Sequence, residues 1–257
     1  MKRLKIPILL LAALLCLTAC GRRDKPGDIT EPTINVTFAA PTETTEEPTE
    51  KPTEPETTGE ETSAPTYGSV VVGKSANGYV IEERDGCTYV DGILIANKTY
   101  SLPQDYGPGE LTDECYEAFQ KMESDAAAEG LDLYIGSGFR SYWTQDSLYN
   151  RYCAQDGPAA ADTYSARPGH SEHQTGLALD LNDISDSFGE TAEGKWVAAH
   201  CFEYGFIIRY PADKVAVTGY MYEPWHIRYL GVETATKVYN SGLCLEEYLG
   251  IDSAYRD

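Results

Sequence analysis

The sequence predicts an α+β fold, with a small, largely antiparallel sheet flanked by helices, confined to residues 67–257. Three observations carry this reading. Short β-rich runs and amphipathic helical stretches interleave along that part of the chain, no internal repeat organises them, and Asp91-Gly92 joins two β-rich runs as a tight hairpin turn does.

The elements follow in order. Tyr79-Val80-Ile81, Thr88-Tyr89-Val90 and Ile93-Leu94-Ile95 read as strands. A helix is expected from Thr112 to Glu129: Asp113 and Glu114 sit in its first turn, Cys115, Phe119 and Met122 make an apolar stripe, and Gly130 stops it. Leu131, Leu133 and Ile135 alternate with Asp132 and Tyr134, the pattern of a strand with one buried face. A second helix runs from Tyr142 to Gln155 and stops before Gly157-Pro158. Leu177, Leu179 and Leu181 alternate with small residues and Asp180, so that strand has one greasy face and one face of small side chains with a carboxylate. A helix from Thr191 to Tyr204, strands at Phe206–Ile208 and Trp225–Leu230, and a terminal helix from Val232 complete the domain.

The preceding residues are of another kind. Lys2, Arg3 and Lys5 precede an apolar run from Ile6 to Leu17, which is shorter than the roughly 20 residues needed to span a bilayer and fits an export signal. Leu17-Thr18-Ala19-Cys20, followed by Gly21, resembles the bacterial lipobox, which implies a signal peptide over 1–20, lipid attachment at Cys20 and an exported, membrane-anchored lipoprotein facing the cell wall. Residues 21–66 are rich in Thr, Glu and Pro and nearly devoid of large apolar side chains, so they are expected to be a disordered linker. A flexible chain of that length spans about 35–40 Å on average.

The formal net charge is −21, and neither the linker nor the domain is basic, which argues against nucleic acid and against binding to anionic lipid surfaces through charge. Membrane contact is expected through the lipid alone, and a monomer is the expected state. All four histidines lie between His170 and His226. Of the seven cysteines, Cys87, Cys115, Cys153, Cys201 and Cys244 fall within the domain with no C-x-x-C pair, so a thiolate metal site is not supported.

Three stretches concentrate chemistry: Gly138-Phe139-Arg140-Ser141 with Gln145, Ser171-Glu172-His173 running on to Asp180, and Glu223-Pro224-Trp225-His226. His173 before a strand, Asp180 on its small-residue face and His226 downstream make a three-ligand set for zinc, which leaves a fourth position for water. Glu223, extended because a proline follows it, is a carboxylate near the metal but not on it, as a general base requires. Each residue alone also suits a structural role; the set in this order is what points to a site. Ser141, Ser171 and the cysteines form no convincing nucleophile–base pair, which disfavours a covalent mechanism.

Ser171-x-His173-x-x-Gly176-x-Ala178-x-Asp180, followed by Glu223-Pro224-Trp225-His226, resembles the signature of VanY-type zinc D-alanyl-D-alanine carboxypeptidases, relatives of the lysostaphin-like peptidases and the hedgehog signalling domain. The resemblance extends over Val90 to Leu249. It implies that fold, one zinc ion on His173, Asp180 and His226, and Glu223 as base. It also implies Arg140 on the substrate carbonyl or terminal carboxylate, with Gln145 and Ser171 at the substrate. The implied substrate is the peptidoglycan stem peptide, losing its C-terminal D-alanine. Trimming of tetrapeptide stems by L,D-carboxypeptidase action, cross-link endopeptidase action and a non-catalytic wall-binding lipoprotein stay open as alternatives.

Overall fold

A computed structural model describes residues 68–256. The expected signal peptide, Cys20 and the linker lie outside the described residues.

Four N-terminal strands form a meander, β1 (Val70–Lys74), β2 (Val80–Arg84), β3 (Cys87–Val90) and β4 (Ile93–Ile95), each antiparallel to the next. The expected hairpin at Asp91-Gly92 is present, and Asp85-Gly86 makes a second. Both aspartates take positive φ (52° and 51°) and both glycines do too (77° and 76°), the geometry whose twist matches paired strands. Val90 and Ile95 pack into one apolar cluster with Val238, Leu245 and Leu249 from the C-terminal helices.

α1 (Asp113–Ala128) is capped by the Thr112 hydroxyl, which accepts from the Cys115 amide, and buries Cys115, Phe119, Met122 and Ala126 along one face. The strand expected from Leu131 begins only at Ile135, as β5 (Ile135–Ser137). Asn182, at φ 48°, turns away and supplies side-chain hydrogen bonds in place of a longer ladder. Its Oδ1 accepts from the Tyr134 amide and its Nδ2 donates to the Asp132 carbonyl. α2 (Tyr142–Asp156) starts at a Ser141 cap, and Pro158 opens a further short helix, α3 (Pro158–Ala161).

A 3₁₀ turn (Glu172–Thr175) leads through Gly176 into β6 (Ala178–Leu181). Gly176 has φ 70°, and a Cβ there would lie 2.6 Å from the Glu110 carbonyl oxygen, so only glycine closes this turn. The helix expected over 191–204 is α4 (Ala192–His200) followed by a tighter turn (Cys201–Tyr204). β7 (Phe206–Tyr210), α5 (Val215–Thr218), β8 (Glu223–Tyr229), α6 (Val232–Ser241) and α7 (Leu245–Leu249) follow.

The expected single sheet is therefore two. The second runs β5-β6-β8-β7 and is antiparallel throughout. Leu179, Leu181 and Ile227, with Phe206 of β7, join Phe119, Met122 and Trp196 in one apolar cluster on one of its faces; burying each such side chain contributes about 1.5–3 kcal/mol. The other face carries Asp180 and His226, which are direct cross-strand partners. Beyond them the ladder is irregular: Ile208 pairs with Ile227 but Tyr210 pairs with Glu223, so three residues of β8 oppose Arg209 alone. Strict alternation would send Glu223 and His226 to opposite faces. The bulge, which accommodates Pro224, lets both reach one cleft.

Candidate metal centre

Three elements converge at one point. The 3₁₀ turn presents His173, β6 presents Asp180, and β8 presents His226, with relative exposures of 4% for each. One ligand atom from each lies within 4.8 Å of the others. His173 Nε2 is 3.3 Å from Asp180 Oδ2, and His226 Nδ1 is 3.1 Å from Asp180 Oδ1. His173 Nδ1 is 2.7 Å from the Gly138 carbonyl oxygen. A carbonyl only accepts, so Nδ1 donates and Nε2 presents a lone pair to the cluster. Asp180 Oδ1 is buried with no hydrogen-bond partner, an expensive state for a carboxylate unless a cation meets it. Two imidazole nitrogens and a carboxylate oxygen, converging and buried, fit a zinc ion.

The electrostatics agree with that geometry. Burial alone would raise the Asp180 pKa, but His173 and His226 hold it well below the usual carboxylate range. Burial draws His173 down, whereas His226, despite its burial, is raised to about 9 by the Asp180 and Glu172 carboxylates. Glu223 lies 3.6 Å from His226 Nδ1 through Oε2, and burial pushes its carboxyl up to about 7.

Arg140 follows β5, and its backbone amide donates to the His173 carbonyl, which ties the arginine to the ligand turn. Its guanidinium donates to Gln145 Oε1 (2.9 Å) and Ser137 Oγ (3.1 Å) and stands 3.8 Å from Asp180 Oδ2. Arg140, Ser171, Glu223 and Trp225 line the same cleft as the three candidate ligands, and Leu148, Tyr152 and Ile184 add apolar surface to it. Gln145, expected at the substrate, stands beside Arg140. It is 1% exposed, its oxygen is taken by Arg140, and its amide nitrogen donates to the Ala166 carbonyl and to Ser165 Oγ. It orients the arginine from behind.

His170 hydrogen-bonds to the Asn97 carbonyl oxygen and packs edge-on to Tyr255, and His200 stacks near Trp196 beside Glu203. Neither joins the cluster. All five cysteines of the described residues are free, and none lines the cleft. Glu172 is the residue that sequence reading passed over. It lies beside His226 Nε2 at 3.5 Å and faces Arg209 and Arg228. Its only sequence signal was a carboxylate between two motif positions.

The family model of the VanY D-alanyl-D-alanine carboxypeptidases matches residues 109–232, the stretch that holds every residue of the cluster. A solved L,D-carboxypeptidase, DacB from Streptococcus pneumoniae, superposes with a TM-score of 0.59 at 41% identity, covering 73% of this chain and 99% of that one. The chain belongs to the VanY family of D-alanyl-D-alanine carboxypeptidases. The structure of a vancomycin-resistance D,D-pentapeptidase VanY, with a glutamate replaced by alanine and in complex with Zn(II), gives a TM-score of 0.54 at 36% identity and covers 60% of this chain and 97% of that one. The D-alanyl-D-alanine carboxypeptidase of Enterococcus faecalis is 36% identical over 179 residues, 62% of this chain; the chain spans 66% of that relative's length.

With this donor set the purified protein is expected to carry one zinc per chain. His173→Ala removes one nitrogen from a three-ligand set and is expected to lose the metal on gel filtration. Elemental analysis reads the outcome, and full zinc occupancy in the variant would remove His173 from the site.

Proposed function

We propose that this VanY-family chain is a zinc-dependent carboxypeptidase that releases the C-terminal D-alanine of peptidoglycan stem peptides, with D-Ala-D-Ala ends as its substrate. One observation carries the reading: three buried ligand atoms within 4.8 Å of one another share a cleft with the Glu223 carboxyl and the Arg140 guanidinium. His173, Asp180 and His226 would hold the zinc ion, which would supply Lewis acidity towards the scissile carbonyl and the attacking water. Glu223, 3.6 Å from His226 in the same cleft, accepts the proton of that water and passes it to the leaving amine. Arg140, aimed by Gln145 and Ser137, offers its guanidinium to the oxygen on which negative charge grows. Ser171 lines the same cleft, where it would border the peptide.

A second reading has its own support. The L,D-carboxypeptidase structures cover more of this chain, 73% for DacB against 60% for the zinc-bound VanY, so removal of D-alanine from tetrapeptide stems is the alternative. The test is incubation with pentapeptide and tetrapeptide stems and identification of products by mass. Loss of a single D-alanine from the pentapeptide is expected for the first reading and from the tetrapeptide for the second; neither product would refute both. Glu223→Gln keeps shape but accepts no proton, and is expected to retain zinc while kcat falls by about 10²–10⁴-fold. Turnover near that of the unaltered chain would leave the reaction without its proposed base.

We also propose that the chain is exported and anchored through a lipid on Cys20, with residues 21–66 as a tether reaching towards the wall. The support is the basic, apolar and lipobox-like order of residues 1–21. Cys20→Ala is expected to move the protein out of the membrane fraction or block its maturation. Unchanged fractionation and unchanged lipid labelling would overturn the anchor.

A further inference from the structure

The two candidate ligand histidines are supported in different ways. His173 turns its outer nitrogen to a neutral backbone carbonyl, that of Gly138. His226 turns its Nδ1 to Asp180 and Glu223, which makes Nε2 its outer nitrogen. That nitrogen is buried with no hydrogen-bond partner, and so is Oε2 of Glu172; the two atoms face one another 3.5 Å apart. Glu172 is 2% exposed and cannot turn to solvent. Its other oxygen, Oε1, accepts from Arg209 Nε at 2.8 Å and from Arg228 Nη1 at 3.0 Å. Arg209 also donates to Glu246 on α7, and Arg228 donates to the Leu94 carbonyl. The carboxylate is therefore held from behind by two fixed cations, with one oxygen left over for the imidazole.

Resting on the reading of the cleft as a zinc site, we infer that Glu172 is a positioning residue for that metal: it accepts the Nε2–H of His226, fixing the tautomer whose Nδ1 lone pair faces the zinc. A carboxylate partner makes the imidazole a stronger donor than a carbonyl does, so the two histidines contribute unequally. One 3₁₀ turn thereby serves both, giving His173 to the metal and its neighbour Glu172 to the other ligand. Arg209, Arg228 and Glu246 carry the constraint out to β7, β8 and α7, because an unpaired carboxylate at this depth would be costly to keep ionised.

The test reads the metal rather than turnover. Zinc affinity, by competition with a chromophoric chelator, is expected to fall by about 10–100-fold in Glu172→Gln. Glu172→Asp keeps a charge opposite the arginines but draws the carboxylate away from His226, and is expected to lose affinity as well. Thermal unfolding of the metal-free proteins separates this loss from a general loss of stability. Should neither variant fold, nitrogen-15 spectra of the histidine side chains in the unaltered zinc-loaded protein decide the matter. A metal-bound Nδ1 and a slowly exchanging Nε2–H on His226, with the reverse pattern on His173, are expected. Undiminished zinc affinity in both variants, or His226 bound through Nε2, would overturn the inference and leave the zinc site standing. A chain that binds no zinc at all would instead overturn the reading on which it rests.

Discussion

The register of one strand pair governs this molecule. Because β6 and β8 are antiparallel and aligned with Asp180 opposite His226, a carboxylate and an imidazole from distant parts of the sequence project side by side from the same face. A slip of one residue would bring Leu179 or Leu181 to that face and send Asp180 into the apolar layer. That layer enforces the alignment: Leu179, Leu181 and Ile227 share one apolar cluster with Phe119, Met122 and Trp196, so core packing and site assembly are one constraint seen from two sides of a sheet. The remaining parts attach to this pair. The glycine-closed turn brings His173 onto β6, the bulge in β8 returns Glu223 to the cleft, and Arg140 hangs from the His173 carbonyl by its own amide.

The site face has a different energetic character. Glu172, Arg209, Arg228 and Glu246 are all at most 2% exposed, and they form a connected ion-pair network beneath the cleft. Desolvation of such groups roughly offsets their attraction, so a network of this kind is a poor source of stability. Its value is rigidity of placement. A guanidinium that must satisfy two carboxylates has little freedom, and a carboxylate gripped by two guanidiniums has less. Burial also acts on Glu223, which lacks a close guanidinium and drifts up to about 7, while Asp180, flanked by two imidazoles, stays ionised. Two carboxyls in one cleft thus become suited to different tasks through their surroundings alone.

Much of this was legible in the chain. The alternation through Leu177, Leu179 and Leu181 identified β6 and the face that Asp180 occupies, and the proline after Glu223 marked an extended strand start. Asp91-Gly92 named its hairpin. What escaped was decided by tertiary contacts. Asn182 shortened β5 by capturing backbone groups with its side chain, an event with no periodic signal. The split into two sheets depends on the N-terminal meander packing against α6 and α7 rather than extending β7. The motif of Gln145 placed it near Arg140, but the hydrogen bond that joins the two side chains had no sequence signal. Glu172 was hidden because nothing in a sequence distinguishes a surface glutamate from one that two distant arginines will bury.

His173, Asp180 and His226 are the proposed protein ligands of the zinc ion, in a domain whose described residues also include five free cysteines. X-ray absorption at the zinc edge of the zinc-loaded protein tests this directly. The expected result is a shell of nitrogen and oxygen scatterers at about 2.0–2.2 Å with imidazole outer-shell features from two histidines. A sulfur scatterer at about 2.3 Å would contradict it, because the metal would then sit on a cysteine and outside this cleft.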